Sequence, residues 1–523
     1  MKKRMKQLMA LGLTGMLVFT GCTGKVEEPV IEETPEVVVE EVTEPEEVVE
    51  ETVEEIVPLS IRTETKQKTY YFEDGEDAYL YLQYCDVSVE GDEYQKLKRS
   101  VENWSMERSE GLRSLYASFE ESAAEEVEEN ENFYGYSLYQ TVTTARADDR
   151  VLSLLDDTYQ YVGGEHGMFY REGINFDSQT GKRVALSDIL SNYDNFIEEA
   201  KERIIYELRE DYGEELFDDY VTVIEELWKD GSEPQWYLDA SGIVIVLQEY
   251  SVGPYAIGSP EIHLPYTEFK PYIKEAYLPG EETGVAAFSA NQEVFLSIPG
   301  QAEEISMMLM SEQQEEVMYN SLWFGQTELE LGDYLVLENA YIVRTETDIY
   351  CMLVVDEASD DYVTYIYRLT GGAIEKVDEL AAAIDAGNIN PQEVRMKTWV
   401  YMLGTYEGVK NYHFDENGEF ISEDTEYQLP KNEYVLTTTV DLPCMAENDE
   451  GELSEWKLPA GSHIILTAAD DNSYVRFSIQ ETGQEGILNV QRSEEEYYHI
   501  TIGGMDGETL DENDCFEVLP YAG

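Results

Sequence analysis

The chain has 523 residues, of which 111 are acidic and 34 basic, so its formal net charge is −77. Because contacts with phosphate require cationic side chains, this balance excludes nucleic acids and anionic lipid surfaces as partners and favours cationic ones. The composition is 42% apolar and 12% aromatic, which is enough for several buried cores, and the length corresponds to about three domains.

The first 22 residues have the pattern of an export signal. A basic start at residues 2–6 is followed by an apolar run at 8–19 and by a small-residue cleavage site that ends in Cys22. The run is shorter than the roughly 20 apolar residues that a permanent membrane span needs. The ending resembles the lipobox of bacterial lipoproteins, in which the cysteine is acylated. We therefore expect a lipid anchor at Cys22 on the outer face of the cytoplasmic membrane of a bacterium, with ordinary cleavage and release as the alternative.

Residues 23–58 are predicted to form an acidic, disordered tether. Between Val26 and Pro58 there are 14 glutamates, ten valines and four prolines, and no basic residue. Like charges repel along such a segment and the prolines interrupt any helix, so we expect it to stay extended and solvated. Reach through a cell wall is its expected use, and an inert spacer is the alternative.

Two α+β domains are predicted next, at residues 59–162 and 163–280. The elements predicted in the first are strands at 69–72 and 79–84, an amphipathic helix at 93–129, and strands at 133–144 and 151–162. The elements predicted in the second are a helical pattern at 196–228 with a break at Gly213, and a strand at 242–247.

Five short motifs follow one another within this region. They are YVGGEHG at 161–167, DSQTGK at 177–182, LSDIL at 186–190, YSVGPYAIG at 250–258 and IHLPY at 262–266. Together they resemble the paired extracytoplasmic domains of the lysozyme-sensing anti-sigma factor (RsiV) family, which also precede the catalytic domain in some peptidoglycan deacetylases. The resemblance covers roughly residues 59–273 and implies binding to cell-wall material or to lysozyme. The Asp-rich and His-rich motifs of the deacetylase domain are missing from 281–523, so that activity is not implied.

The glycines and aromatic residues of these motifs are the candidate ligand contacts. The glycines permit a positive φ in a turn. His166 is the side chain of this segment suited to acid-base chemistry near neutral pH, but a histidine in a glycine turn is more often a hydrogen-bonded structural residue. We therefore predict no catalytic residue, and we expect the ligand to contact Gly163, Gly164, His166, Tyr170, Tyr250 and Tyr255.

Residues 281–430 are predicted to form a β-rich domain. Its expected elements are strands at 294–296, 341–343, 350–355 and 362–369, a helix at 374–386 ended by Gly387, and a hairpin with the turn DENG at 415–418. None of the acidic loops has the spacing of a calcium-binding loop, so turns are a better interpretation than a metal site. We predict neither a metal nor a cofactor.

Residues 431–523 are predicted to form a small β domain. The runs at 458–466, 474–477 and 483–488 resemble a bacterial SH3-type barrel, which implies a second wall-binding or peptide-binding element, with a structural cap as the alternative. Cys444 and Cys515 both fall here and are the candidate disulfide pair, whereas Cys351 is interpreted as a buried thiol.

The sequence therefore favours an α+β protein with a β-rich middle domain and an SH3-like end. We expect a non-catalytic cell-surface lipoprotein that binds wall glycan or a cationic wall-directed protein such as lysozyme, which its negative charge would attract over long range. Two alternatives stay open: a wall hydrolase that uses paired carboxylates, which need only spatial proximity, and an envelope structural or assembly protein.

Overall fold

The computed structural model describes residues 57–521 apart from 73–77, 131–132, 281, 315–316, 334–335, 357–360, 431, 433, 448–452, 494–498 and 506. The chain divides into two units, Met1–Glu55 and Ile56–Gly523. Cys22 with its predicted lipid anchor, and the predicted tether up to residue 56, lie outside the described residues. In the described part, none of the helices combines the length and the apolarity that crossing a bilayer requires.

The first layer of the fold is a sheet covered by one long helix. Its elements are β1 (Ile61–Tyr71), β2 (Ala78–Val89), α1 (Gln95–Glu129), β3 (Tyr136–Asp148), β4 (Val151–Tyr161) and β5 (Met168–Asp177). Strands β2 and β3 pair in parallel, which requires a crossover connection, and α1 supplies it. The buried side chains of α1 form a stripe against the sheet at spacings of mostly three or four residues, in which Ser105 and Ser109 stand among apolar residues, and the helix begins two residues after the predicted start at 93.

A smaller α+β layer packs beside this sheet. Its elements are α2 (Leu186–Ile189), α3 (Tyr193–Tyr212), α4 (Tyr220–Glu226), β6 (Gln235–Leu238), β7 (Gly242–Val246), β8 (Glu261–Pro265) and α5 (Tyr266–Phe269), with short 3-10 turns between them. Helix α3 buries Phe196, Ala200, Ile204 and Leu208, one residue per turn, in a core shared with the three-stranded sheet β6-β7-β8. The predicted break at Gly213 is confirmed, because α3 ends at Tyr212.

The middle of the chain extends the first sheet. Its strands are β9 (Gly284–Ala287), β10 (Glu293–Leu296), β11 (Ile305–Gln314), β12 (Val317–Phe324), β13 (Thr327–Asp333), β14 (Val336–Arg344), β15 (Ile349–Asp356), β16 (Tyr362–Thr370) and β17 (Ala373–Leu380). Strand β9 pairs with β3 on one side and with β14 on the other, so the sheet continues through β14, β15 and β16 to β17. Strands β10 to β13 form a separate four-stranded sheet.

The helix predicted at 374–386 is wrong. That segment forms β17 and the next strand, β18 (Ala383–Ile389). Gly371 and Gly372 have φ values of 59° and 88°, the turn geometry that folds β17 back onto β16 as a hairpin. Backbone pairing of β17 with β16, and of β18 with the strand at Val394–Tyr401, therefore overrides the local helix propensity of the alanine-rich run at 381–386.

The C-terminal strands join β18 in a 13-stranded sheet. They are β19 (Val394–Tyr401), β20 (Thr405–Phe414), β21 (Phe420–Ile421), β22 (Tyr427–Gln428), β23 (Leu436–Thr437), β24 (Leu442–Glu447), β25 (Leu453–Leu458), β26 (His463–Ala469), β27 (Tyr474–Ile479), β28 (Glu485–Arg492), β29 (Ile500–Gly503) and β30 (Thr509–Asp511), followed by α6 (Glu512–Cys515). The hairpin predicted at 415–418 is confirmed, since it joins β20 to β21. Taken together, these layers make an α+β fold with a β-rich body.

Cys444 and Cys515 are separate thiols in the structure, not the predicted disulfide pair. Both lie in the same apolar core, Cys444 on β24 and Cys515 at the end of α6. Burial raises the pKa of each thiol to about 11, which disfavours the thiolate that disulfide formation requires. Cys351 is a buried thiol, as predicted.

Asn388 on β18 ties the C-terminal body to the first strand. Its Oδ1 accepts a hydrogen bond from the Thr63 backbone at 2.9 Å, and its Nδ2 donates to Thr63 Oγ1 and to Asp385 Oδ2, each at 2.8 Å. This buried contact joins residues that are 325 positions apart in the sequence. The N-terminal sheet and the C-terminal strands are therefore packed directly on each other.

Candidate functional site

The connection between β4 and β5 carries the glycines predicted to contact ligand. Gly163 and Gly164 have φ values of 89° and 102°, and a Cβ at either position would meet no neighbouring atom. Backbone conformation, rather than lack of space, therefore requires glycine here. The Tyr161 hydroxyl donates to the Gly164 carbonyl at 3.1 Å and braces the turn.

His166 packs between two tyrosines that lie far away in the sequence. Its ring stacks on Tyr255 with a centroid separation of 3.8 Å and an interplanar angle of 12°, and the Tyr250 hydroxyl lies 3.0 Å from His166 Nε2. His166 Nδ1 lies 2.9 Å from the Gly167 carbonyl, which can only accept. The proton of the neutral ring is thereby assigned to Nδ1, and Nε2 accepts from Tyr250. Both ring nitrogens are occupied, which fits a positioning role rather than acid-base chemistry.

The segment that bears the tyrosines is clamped to the free edge of β5. The backbone N–H groups of Phe169 and Arg171 donate to the side chains of Glu249 at 2.9 Å and Gln248 at 3.2 Å, and Gln248 Nε2 donates to the Arg171 carbonyl at 2.7 Å. These side chains take the hydrogen bonds that a neighbouring strand would otherwise make. Tyr250 follows directly with a φ of 62°, unusual for a non-glycine residue, and the contact of its hydroxyl with His166 Nε2 at 3.0 Å positions its ring.

Two further tyrosines extend this surface. Tyr139 on β3 and Tyr159 on β4 are register partners, and their rings stack with centroids 4.9 Å apart. Burial raises the pKa of the Tyr139 phenol, and the nearby Tyr159 and Tyr255 add to the rise. We call Tyr139, Tyr159, His166, Tyr250 and Tyr255 the aromatic patch. Tyr139, Tyr250 and Tyr255 are each about two-fifths exposed, at 39%, 42% and 39%.

Tyr170 does not belong to the aromatic patch. Tyr170 on β5 is the register partner of Thr158 on β4, whereas the neighbouring Phe169 is the partner of Tyr159. Successive strand residues point to opposite faces, so Tyr170 and Tyr159 lie on opposite faces of the sheet. Burial raises the pKa of Tyr170, with Glu172 and Asp156 as the neighbouring charges, and Asp156 pairs with Arg108 of α1 at 3.2 Å. Tyr170 therefore shares the α1 face of the sheet. Of the predicted contacts, the structure brings together His166, Tyr250 and Tyr255, beside the Gly163–Gly164 turn.

A pair of carboxyl groups of the kind a hydrolase needs does occur on the α1 face. Asp156 and Glu172 are direct register partners; burial raises the pKa of both, and the charge of Asp156 adds to the rise at Glu172. Asp156 is buried, however, and it also accepts a hydrogen bond from Gln140, so it is engaged inside the interface between α1 and the sheet. No sugar ring can reach it there without displacing the helix.

A serine, a histidine and an aspartate meet in the hairpin between β6 and β7, but they do not form a catalytic triad. Ser241 Oγ lies 3.2 Å and Asp239 Oδ2 3.6 Å from the same nitrogen, His263 Nδ1. In a triad the serine and the acid contact opposite ring nitrogens. Asp239 Oδ1 instead accepts hydrogen bonds from the backbone of Ser241 at 2.7 Å and of Gly242 at 2.9 Å, which makes it the turn-forming residue of the hairpin.

The described residues contain no group of three or more His, Cys, Asp or Glu side chains arranged to hold a metal ion. The candidate site is therefore a surface of rings and hydrogen bonds. Sequence reasoning missed Tyr139 and Tyr159, although Tyr159 and Tyr161 alternate with Thr158 and Gln160 along β4, which is a signal for a shared face.

Comparison with known proteins identifies one domain. Residues 187–267 match the model of a family described as "Protein of unknown function (DUF3298)", so a domain of that family is present. Two solved structures of DUF3298 family proteins are similar to the chain. One, from Pseudomonas aeruginosa PAO1, has 20% identity over 43% of this chain and 98% of its own, with a TM-score of 0.33. The other, from Bacteroides fragilis, has 16% identity over 42% and 94%, also with a TM-score of 0.33. No curated protein matches the chain. Tyr250 and Tyr255 lie inside the matched residues, and His166 precedes them.

Proposed function

We propose that this protein is a non-catalytic, lipid-anchored binding protein of the bacterial cell surface, and that its aromatic patch binds cell-wall glycan. The observation that carries the proposal is the stacking of His166 on Tyr255, with the Tyr250 hydroxyl hydrogen-bonded to the same imidazole ring. Three rings fixed in this way form a rigid platform that loses little conformational entropy on binding. Exposed aromatic faces with polar edges suit sugar rings, which offer an apolar face and hydroxyls around it.

The net charge favours a second candidate ligand, a cationic wall-directed protein such as lysozyme. A net charge of −77 steers a cationic protein toward the surface, and the effect declines with salt because the Debye length falls from about 10 Å at 0.1 M to 3 Å at 1 M. Stacking of a neutral glycan on the aromatic patch does not depend on salt in this way. Salt therefore separates the two ligands.

The expected location is supported by the sequence alone. The export signal that ends in Cys22, the acidic tether and the SH3-like runs of residues 431–523 all fit a protein held at the membrane with its binding domains in the wall. Labelling with a fatty-acid analogue, in the wild type and in Cys22→Ala, tests the anchor. Undiminished label in the variant would contradict it.

The binding proposal is tested by retention of the purified protein on insoluble peptidoglycan and on immobilised lysozyme, at low and high salt. The double variant Tyr250→Ala/Tyr255→Ala is expected to lose at least about tenfold in affinity, as for other central aromatic contacts. Tyr170→Ala is the matched control, because Tyr170 is also exposed but lies on the α1 face. Retention of the wild type on neither material, or equal retention of both variants, would refute the proposal.

A further inference from the structure

A large cavity lies between the first sheet and the C-terminal sheet. Its volume is about 1250 Å³, and its walls come from β1, β2 and β3 on one side and from β18, β19, β20 and β22 on the other. Typical small-molecule sites measure about 300–1000 Å³. The cavity is therefore large enough for a ligand of several linked units.

The charges around this cavity are mixed. Six carboxylate and three cationic side chains line it, together with threonine hydroxyls and four aromatic rings. A charged ligand would be repelled by the side chains of like charge on part of the wall. A hydroxyl group both donates and accepts, so a hydroxyl-rich, uncharged ligand can use both kinds of side chain.

One corner of the cavity offers hydrogen-bond donors. Asp385 faces two cations, with Arg395 Nε and Lys397 Nζ each 3.8 Å from its carboxylate. These separations exceed hydrogen-bond length. Arg395 Nε is buried and makes no hydrogen bond within the described part of the chain. The ammonium group of Lys397, whose side chain is 31% exposed, is the donor of this corner that a ligand oxygen can reach.

Trp399 provides an aromatic surface in the same wall. It follows Lys397 by two residues on β19, so both side chains point to the same face, and Glu407 is its register partner on β20. The side chain is 42% exposed although it lines the cavity. An exposed indole between a donor and an acceptor is the arrangement that holds a sugar ring by stacking and by its hydroxyls.

The cavity and the aromatic patch share one strand. Along β3, Tyr139 of the patch alternates with buried Leu138, Gln140 and Val142; Thr141 and Thr143, the next two residues on its face, line the cavity together with Val142 of the opposite face. Residues two apart on a strand are separated by about 6.6–6.8 Å. The two surfaces are therefore neighbours along β3.

We propose that the cavity is a second saccharide site, continuous with the aromatic patch along β3, and that it binds an uncharged N-acetylated oligosaccharide with a sugar ring on Trp399. The proposal rests on the glycan form of the proposed function and extends it to a long ligand. The patch and the cavity then bind successive parts of one chain.

Calorimetric titration of the full-length protein with the N-acetylglucosamine hexamer tests the proposal. Trp399→Ala is expected to weaken binding at least about tenfold, and Trp399→Phe less, because it keeps a ring. Trp323→Ala is the matched control, since Trp323 is half-buried on β12, outside the cavity. Melting temperatures of the variants establish that each one is folded.

Hexamer binding that is equal in the wild type and in Trp399→Ala would overturn the cavity site. If hexamer binding is then lost only in Tyr250→Ala/Tyr255→Ala, the aromatic patch is the glycan site. A wild type that binds lysozyme but no hexamer would overturn the cavity site and keep the cationic partner. Hexamer binding that depends on Trp399 but not on Tyr250 and Tyr255 would support the cavity and overturn the role of the patch.

Discussion

Replacing Arg146 with methionine is expected to destabilise the fold by about 3–5 kcal/mol, the range for breaking a buried ion pair from one side. The guanidinium is fully buried on β3. Its Nε donates to Asp148 Oδ2 at 2.7 Å, its Nη1 to the Tyr266 hydroxyl at 3.0 Å and the Tyr277 carbonyl at 2.8 Å, and its Nη2 to the Leu278 carbonyl at 3.4 Å. One side chain thus joins β3, α5 and the segment that leads to β9.

The magnitude follows from what the substitution leaves behind. Methionine fills much of the same volume but donates no hydrogen bond, so the acceptors around it stay buried without a donor, at about 1–3 kcal/mol for each unsatisfied group. Asp148 still accepts from the backbone of Arg150 and Val151, which keeps the total near the stated range. Urea unfolding followed by tryptophan fluorescence at pH 7 measures the change.

The matched control is Arg62→Met, which removes an exposed pair with Glu90 and should change stability by less than about 1 kcal/mol. A loss of under about 1 kcal/mol in Arg146→Met, equal to the control, would refute the idea that this guanidinium holds the two layers together.

Three other changes test the packing of the layers. Asn388→Ala should destabilise by about 1–3 kcal/mol in urea unfolding, because the buried N–H of Thr63 loses its acceptor, and a neutral result would contradict the direct packing of β18 on β1. Asp239→Asn should gain stability relative to the wild type as pH rises above about 4. Burial raises the pKa of the native carboxyl above its value in the unfolded chain, so ionisation of Asp239 opposes folding of the wild type. Parallel curves of unfolding free energy against pH for the two proteins would exclude this. Gly173→Ala should destabilise by about 1–3 kcal/mol or more because a Cβ would overlap the backbone of β6, whereas Gly111→Ala on α1 meets no atom and should stabilise by up to about 1 kcal/mol; equal thermal shifts would show that the close approach is not rigid.

The two long helices, α1 and α3, were predictable because each one buries a stripe of residues spaced mostly three or four apart in the sequence. Helix α3 is an example, since its four buried residues stand one turn apart and Gly213 marks its end. The helix prediction at 374–386 failed because the alanines of that segment favour a helix. The signal for a strand, the Gly371–Gly372 turn, lies just outside the segment. Pairing with β16 is a tertiary interaction, and local propensity carries no information about it.

The candidate site was predictable in its parts but not in its assembly. The sequence indicated His166, Tyr250 and Tyr255 as separate motif residues. Their stacking depends on how Gln248 and Glu249 attach to the edge of β5, a contact across about 80 positions that no spacing rule contains. Tyr170 has the same residue type and sits in the same motif region, yet one step along a strand places it on the opposite face.

The two faces of the first sheet bear on different functional alternatives, the wall hydrolase and the saccharide-binding protein. Helix α1 closes one face, and the carboxyl pair of Asp156 and Glu172 lies on that closed side with Arg108. The other face carries the aromatic patch, and Thr141 and Thr143 on that face connect Tyr139 of the patch to the cavity. A hydrolase that acts on this sheet would therefore have to draw its acids from elsewhere, such as the six carboxylates of the cavity, of which Asp385 lies 3.8 Å from both Arg395 Nε and Lys397 Nζ. A carboxylate in that position can accept a hydrogen bond from a hydroxyl of a bound sugar, which is the role that the saccharide proposal gives it.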